Sequence, residues 1–105
     1  MTPIALRDRD LATLRSTFRR FPCVREVRLF GSRANGTARR ASDIDLAISA
    51  PDATADQWLE LTDAIEAAPI IYEFDLVRRE RAQNSKLLKK IEREGIRIYP
   101  EESAK

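Results

Sequence analysis

The sequence contains no histidine and a single cysteine, Cys23. Without histidine, Ser-His-Asp and Cys-His nucleophilic catalysis are excluded, and so are His-ligated zinc sites. Any acid–base or metal chemistry has to run through carboxylates. One cysteine cannot form an internal disulfide, the pattern of a reducing compartment. With no imidazole to activate it, Cys23 reads as a buried filler between Pro22 and a strand. No apolar run approaches membrane-spanning length, and the opening MTPIALRDRD has no apolar signal core. A cytoplasmic location without a membrane is therefore the expectation. An excess of one charge is missing too: 19 Lys and Arg against 17 Asp and Glu leave +2. Affinity for nucleic acid does not follow from such a balance, and no direct nucleic-acid binding is expected.

What is present is ordinary for a globular chain. Of 105 residues, 43% are hydrophobic, with three glycines and five prolines. That length makes one domain, residues 1–105, able to bury roughly 60–70% of its unfolded surface without staples. Leu11, Leu14, Phe18 and Phe21 recur at helical spacing, which predicts a helix over about Asp8–Arg20 ended by Pro22. Val24–Phe30 alternates as a strand and stops at Gly31. Asp43–Ser49 is a second strand, closed by Pro51. Thr54 and Gln57 form a capping-box pattern ahead of a stripe of Trp58, Leu61 and Ile65. Ile70–Val77 reads as a third strand. Leu87, Leu88 and Ile91 mark a helix over Asn84–Glu94 with Gly95 as its stop, and Ile96–Tyr99 reads as a short fourth strand. The fold class is α/β (α+β): a small mixed sheet covered by helices, in the order α-β-(short α)-β-α-β-α-(β). Trp58 and the phenylalanines are expected in the core.

The stretch LFGSRANGTARRASDIDLAIS, Leu29 to Ser49, carries the chemistry. Asp43 and Asp45 stand inside an otherwise apolar strand, where charge is normally excluded. Alternation puts both on one face, with Ile44, Leu46 and Ile48 on the other. In YEFDLV, Glu73, Asp75 and Val77 share a face. If the two strands are neighbours, Asp75 stands beside the aspartate pair and three carboxylates converge. Two like charges about 4 Å apart repel by roughly 4 kcal/mol at an effective dielectric near 20. Such a cluster protonates, splays or recruits a cation. Oxygen-only ligands select a hard ion, Mg²⁺ or Mn²⁺. Paired carboxylates of this kind serve in-line phosphoryl or nucleotidyl transfer, Asp43 and Asp45 as metal ligands and Asp75 as a further ligand or proton acceptor. Gly31-Ser32 ends a strand at a turn that lets a phosphate approach the backbone.

Gly31-Ser32, ten intervening residues, Asp43-x-Asp45 and a later strand aspartate, Asp75, together resemble the nucleotidyltransferase superfamily that includes the polymerase-beta palm. The run is most similar to the minimal nucleotidyltransferases, or MNT-domain proteins, and the likeness extends over about residues 24–99, including FDLV and IEREGIRIY. The resemblance implies a nucleotidyltransferase palm. Gly31, Ser32, Arg33 and Ser42 would be nucleotide-binding, and Asp43, Asp45 and Asp75 would be metal-binding and catalytic. One position departs: Asn35 stands where many relatives have a second arginine. Arg39 and Arg40 add charge nearby. The resemblance further implies an antitoxin of a type VII-like toxin–antitoxin pair. It would use ATP and Mg²⁺ to place AMP on a hydroxyl, that of a tyrosine, of a HEPN-domain toxin. Two alternatives are a non-catalytic antitoxin acting by contact and a nucleotidyltransferase for a small molecule such as an antibiotic. The second usually needs a large acceptor domain.

Overall fold

The computed structural model of the chain describes residues 4–39 and 41–101, so Arg40 and both ends of the expected 1–105 domain lie outside it. The elements run α1 (Asp8–Arg19), β1 (Glu26–Phe30), α2 (Ser32–Asn35), β2 (Ile44–Ser49), α3 (Ala55–Ala67), β3 (Phe74–Arg78), a 3-10 turn (Arg79–Arg81), α4 (Ser85–Glu94) and β4 (Ile96–Tyr99). The four strands form one mixed sheet in the order β3-β2-β1-β4. β1 is antiparallel to both β2 and β4, whereas β2 and β3 are parallel. The expected α/β class and element order are those observed.

Local sequence accounts for the helix ends. Gln57 N–H donates to the Thr54 hydroxyl, and Thr54 N–H donates to the Gln57 side chain, closing a reciprocal cap on α3. A cap of this type is worth about 1 kcal/mol. The Asn84 side chain accepts from Lys86 N–H and Leu87 N–H and starts α4. α1 ends ahead of Pro22, whose ring cannot continue it.

The sheet is covered on both faces. Leu14 and Phe18 of α1, Leu61 and Ile65 of α3, and Val27, Leu29, Ile44, Leu46, Ile48 and Ile98 of the strands form the main core. Each fully buried side chain of this size contributes about 1.5–3 kcal/mol. On the other face Ile91 and Leu87 of α4 pack on Phe30, Ala47 and Val77. Trp58, Phe21 and Phe74 are only partly buried against the main core. Cys23 is likewise half-buried rather than enclosed, because it lies in the turn before β1 instead of within a strand.

Four strand boundaries differ from the periodicity. β1 begins at Glu26, β2 at Ile44 and β3 at Phe74, not at 24, 43 and 70, and β3 ends at Arg78, not at 77. β3 is an edge strand whose only partner is β2, and the ladder begins where Ile44 meets Phe74. Ile70 to Glu73 have the hydrophobicity of a strand but no strand to pair with. Among the described residues, no helix is long and apolar enough to cross a membrane.

Candidate active site

β2 sits centrally between the two strands that build the site. Across one ladder Asp45 faces Phe30, the last residue of β1. Across the other it faces Asp75 of β3 in parallel register. The shared parity read from the sequence therefore brings two carboxylates side by side on one sheet face, the face that α4 only partly covers. Asp43 lies two residues upstream, exposed, just ahead of the ladder. Its neighbour Ile44 donates its N–H to the Glu73 carbonyl at 2.8 Å.

Gly31 follows Phe30 directly and adopts φ 75, ψ −155. A Cβ built there would stand 2.1 Å from Asp45 Oδ2. Glycine is required twice over, by the left-handed φ and by the approach of the carboxylate. α2 starts at the next residue, Ser32, and the Ala34 and Asn35 N–H groups both donate to the Gly31 carbonyl at 3.0 Å. The first amides of a helix have no intrahelical partner. The backbone of this turn therefore offers hydrogen-bond donors right beside an acidic cluster.

The electrostatics match that geometry. Asp45 is pushed above the ordinary carboxyl range, first by burial, then by Asp75 and Asp43, with Lys90 and Arg33 opposing. The expectation that all three carboxylates converge is corrected: among the described residues, no three acidic side chains gather closely enough to hold a metal ion. Residues i and i+2 of a strand are about 6.6 Å apart along the chain, and like charges splay. The donor set still suits Mg²⁺, which takes one or two carboxylates and completes its shell with water and substrate phosphate.

Arg33 was expected at the nucleotide. It is 5% exposed, and backbone carbonyls occupy its guanidinium. Nε and one terminal nitrogen donate to the Ser42 carbonyl at 3.0 and 2.6 Å, and the other nitrogen donates to the Ala5 carbonyl at 2.6 Å. Its plane lies over the Tyr72 ring, 4.2 Å from the centroid. Through these bonds Arg33 holds Ser42, the residue next to Asp43. The Ser42 hydroxyl accepts from Arg39 N–H at 2.8 Å.

The rest of this network was not legible in the sequence. Arg7 also lies over Tyr72, at 5.9 Å, and its guanidinium grips the buried Asp10 of α1 through bonds of 2.9 and 3.2 Å. A chain Asp10–Arg7–Tyr72–Arg33–Ser42 thus ties α1 to the approach of Asp43. Only the Arg7–Asp10 spacing carried a local signal. Asn35 bridges by side chain to Thr37 and to Glu94 at the end of α4. At the opposite end of β2, Ser49 and Ala50 donate to the Glu80 carboxylate while Arg78 donates to the Ala50 and Ala53 carbonyls. Burial works against ionisation of Glu80, but the Ser49 and Ala50 hydrogen bonds and Arg78 prevail, and its carboxyl sits below the usual range.

The family profile described as Polymerase beta, Nucleotidyltransferase matches residues 12–104. No curated protein sequence matches the chain. Solved structures do. One is a toxin–antitoxin crystal structure with AMP-PNP, 25% identical, covering 85% of this chain and 72% of that one at a TM-score of 0.63. Another is a tri-AMPylated HEPN toxin in complex with MNT antitoxin from Shewanella oneidensis, 22% identical, covering 90% and 72% at a TM-score of 0.64. A third, the toxin–antitoxin MntA-HepT, is 20% identical, covering 89% and 72% at 0.59. The last two likenesses are of fold.

Proposed function

This chain belongs to the polymerase beta nucleotidyltransferase family, and we propose that it transfers AMP from ATP to a hydroxyl of a partner HEPN toxin, that of a tyrosine, as the antitoxin of a toxin–antitoxin pair. The observation that carries the reaction is the register of Asp45 against Asp75 beside the Gly31 turn. A protein that only binds has no physical need for a half-buried carboxylate, Asp45, set opposite a second one, Asp75. The partner reading draws on the structures of toxin–antitoxin pairs that the chain resembles, one of them with AMP-PNP and another AMPylated.

In this reading Asp43 and Asp45 would hold Mg²⁺, and Asp75, opposite Asp45 in the ladder, would stand free to accept a proton. Held there, the ion would supply positive charge against the triphosphate and Lewis acidity at the α-phosphate. The Gly31 turn and the first amides of α2, with the Ser32 hydroxyl, receive the phosphates. Arg33 keeps Asp43 in place through Ser42. The acceptor oxygen attacks the α-phosphorus, the bond to the pyrophosphate oxygen breaks, and Asp75 takes the hydroxyl proton. Pyrophosphate leaves and an AMP ester remains on the acceptor.

The experiment is to incubate the chain with α-labelled ATP, Mg²⁺ and its HEPN partner, and to repeat it with Asp75→Asn. Label on the partner with the wild-type chain and none with Asp75→Asn is the expected result. A partner that is bound and neutralised without ever acquiring label would assign the chain to non-catalytic antitoxins.

A further inference from the structure

Helix α4 lies on the sheet face that carries Asp45 and Asp75, and its packing shows how it is turned. Leu87 and Ile91, one turn apart, pack on Phe30, Ala47 and Val77. Lys89 is two positions from each and so lies on the side away from the sheet. Lys86, Lys90 and Glu94 form a separate row along one flank, four residues apart. The end of that row is fixed, because the Asn35 side chain of α2 donates to Glu94 at 3.2 Å. The flank therefore faces α2 and the Gly31 turn. Chain direction agrees: Ile96, just past the end of α4, pairs with Leu29, two residues before Gly31. Lys90 stands one turn back from Glu94, on the same flank.

The charge at Lys90 reaches the site. Two cations act on Asp45 against the pull of Asp75 and Asp43, and they are Lys90 and Arg33. The Arg33 guanidinium is occupied by the Ser42 and Ala5 carbonyls and is buried. Lys90 is exposed, and no hydrogen bond or ion pair to a described residue holds its ammonium. A nucleotide triphosphate brings more negative charge than a single Mg²⁺ cancels, to a site that already holds carboxylates. A helix flank that sets an unengaged ammonium beside that site supplies what is missing.

We propose that Lys90 binds the β- and γ-phosphates of the nucleotide and takes up the charge of the departing pyrophosphate. The inference rests on the nucleotidyl-transfer reading above and adds the residue that receives the leaving group. β2 separates the two flanks of the site, with β1 and the Gly31 turn on one side and Asp75 of β3 on the other. In-line displacement puts the leaving and attacking oxygens on opposite sides of the phosphorus. As the acceptor oxygen bonds to the α-phosphorus, the bond to the bridging oxygen breaks, and its electron pair stays on the pyrophosphate. Lys90 meets that growing charge on the β1 flank, and Asp75 takes the acceptor proton on the β3 flank. The Asn35–Glu94 bond keeps α4 at the distance from α2 that this contact needs.

The test titrates the full chain with Mg²⁺ and a non-hydrolysable ATP analogue, and separately with AMP, followed by NMR. The wild-type chain should prefer the analogue to AMP. Lys90→Ala should lose about tenfold or more of that preference, since a charge-assisted bond to phosphate is gone. Lys90→Arg should keep most of it. Lys89→Ala changes the net charge equally and should keep all of it, and the nucleotide-free melting temperature should hold in every variant. An undiminished preference in Lys90→Ala, an equal loss of analogue and AMP, or the same loss in Lys89→Ala overturns the proposal. An analogue that does not saturate even the wild-type chain would sink the nucleotidyl-transfer reading itself, so the two failures are distinguishable.

Discussion

Asp45 is the residue at which folding and chemistry conflict. Its carboxyl is raised by burial and by Asp75 and Asp43. A raised carboxyl binds its proton more tightly in the folded chain than in the unfolded one. Stability from this group is therefore complete at low pH and falls as pH rises from the unfolded value through the folded one. Asp45→Asn should raise the metal-free melting temperature at neutral pH, by an amount that shrinks on acidification, while transfer falls on the order of 10³-fold or more. The double change of Asp43 and Asp45 to Asn should behave alike: transfer abolished, the metal-free fold as stable or more so. A large loss of stability in either melt would make these carboxylates structural. Glu80 carries the opposite sign, its carboxyl lowered by the Ser49 and Ala50 hydrogen bonds and Arg78 against the cost of burial. Its contribution is present above the unfolded value and lost as pH falls through the folded one, so Glu80→Gln should flatten that acid limb. At this scale strand parity was legible in the sequence, and it places Asp45 opposite Asp75. The setting of Arg33 was not legible, since its partners Ala5, Ser42 and Tyr72 come from three separate segments.

The segment between β1 and β2 is an element in its own right, hinged on Gly31 and anchored by Arg33. Gly31→Ala introduces a Cβ 2.1 Å from Asp45 Oδ2 at a φ of 75, so the turn or the carboxylate must move. We expect a loss of about 1–3 kcal/mol from the backbone conformation alone, read from denaturant melts, with ATP binding lost as well. Arg33→Ala leaves the Ser42 and Ala5 carbonyls without their charged donor. It should cost about 2–4 kcal/mol and open residues 36–42 to limited proteolysis. Arg33→Lys keeps the charge but not the fork, and should recover stability only in part. Full recovery by lysine would show that charge, not the bidentate geometry, is what the loop needs. Periodicity identified the four strands and the three longer helices, but not the 3-10 turn at Arg79–Arg81, and the glycine–proline punctuation placed several ends. It overran at Ile70 because an edge strand extends only as far as its single partner, a fact of sheet order and not of local sequence. The packing of α4 on the acidic face through Ile91 and Leu87 was equally out of reach, since the helical stripe does not say which face of the sheet it covers.

At the scale of the molecule, one small sheet with three main helices places Asp45 beside Asp75 and the Gly31 turn. The proposed transfer to a hydroxyl also needs water excluded and the acceptor held in line, a task the proposal assigns to the partner. The isolated chain is accordingly expected to bind Mg-ATP weakly and to turn over slowly until a helical partner is added. The most direct measurement of the central claim is the intact mass of a HEPN partner co-expressed with this chain. The account predicts a mass raised by whole AMP units with the wild-type chain and an unmodified mass with Asp75→Asn, while the complex itself persists in both. An unmodified partner in a stable complex with the wild-type chain, or AMP addition undiminished by Asp75→Asn, would contradict it.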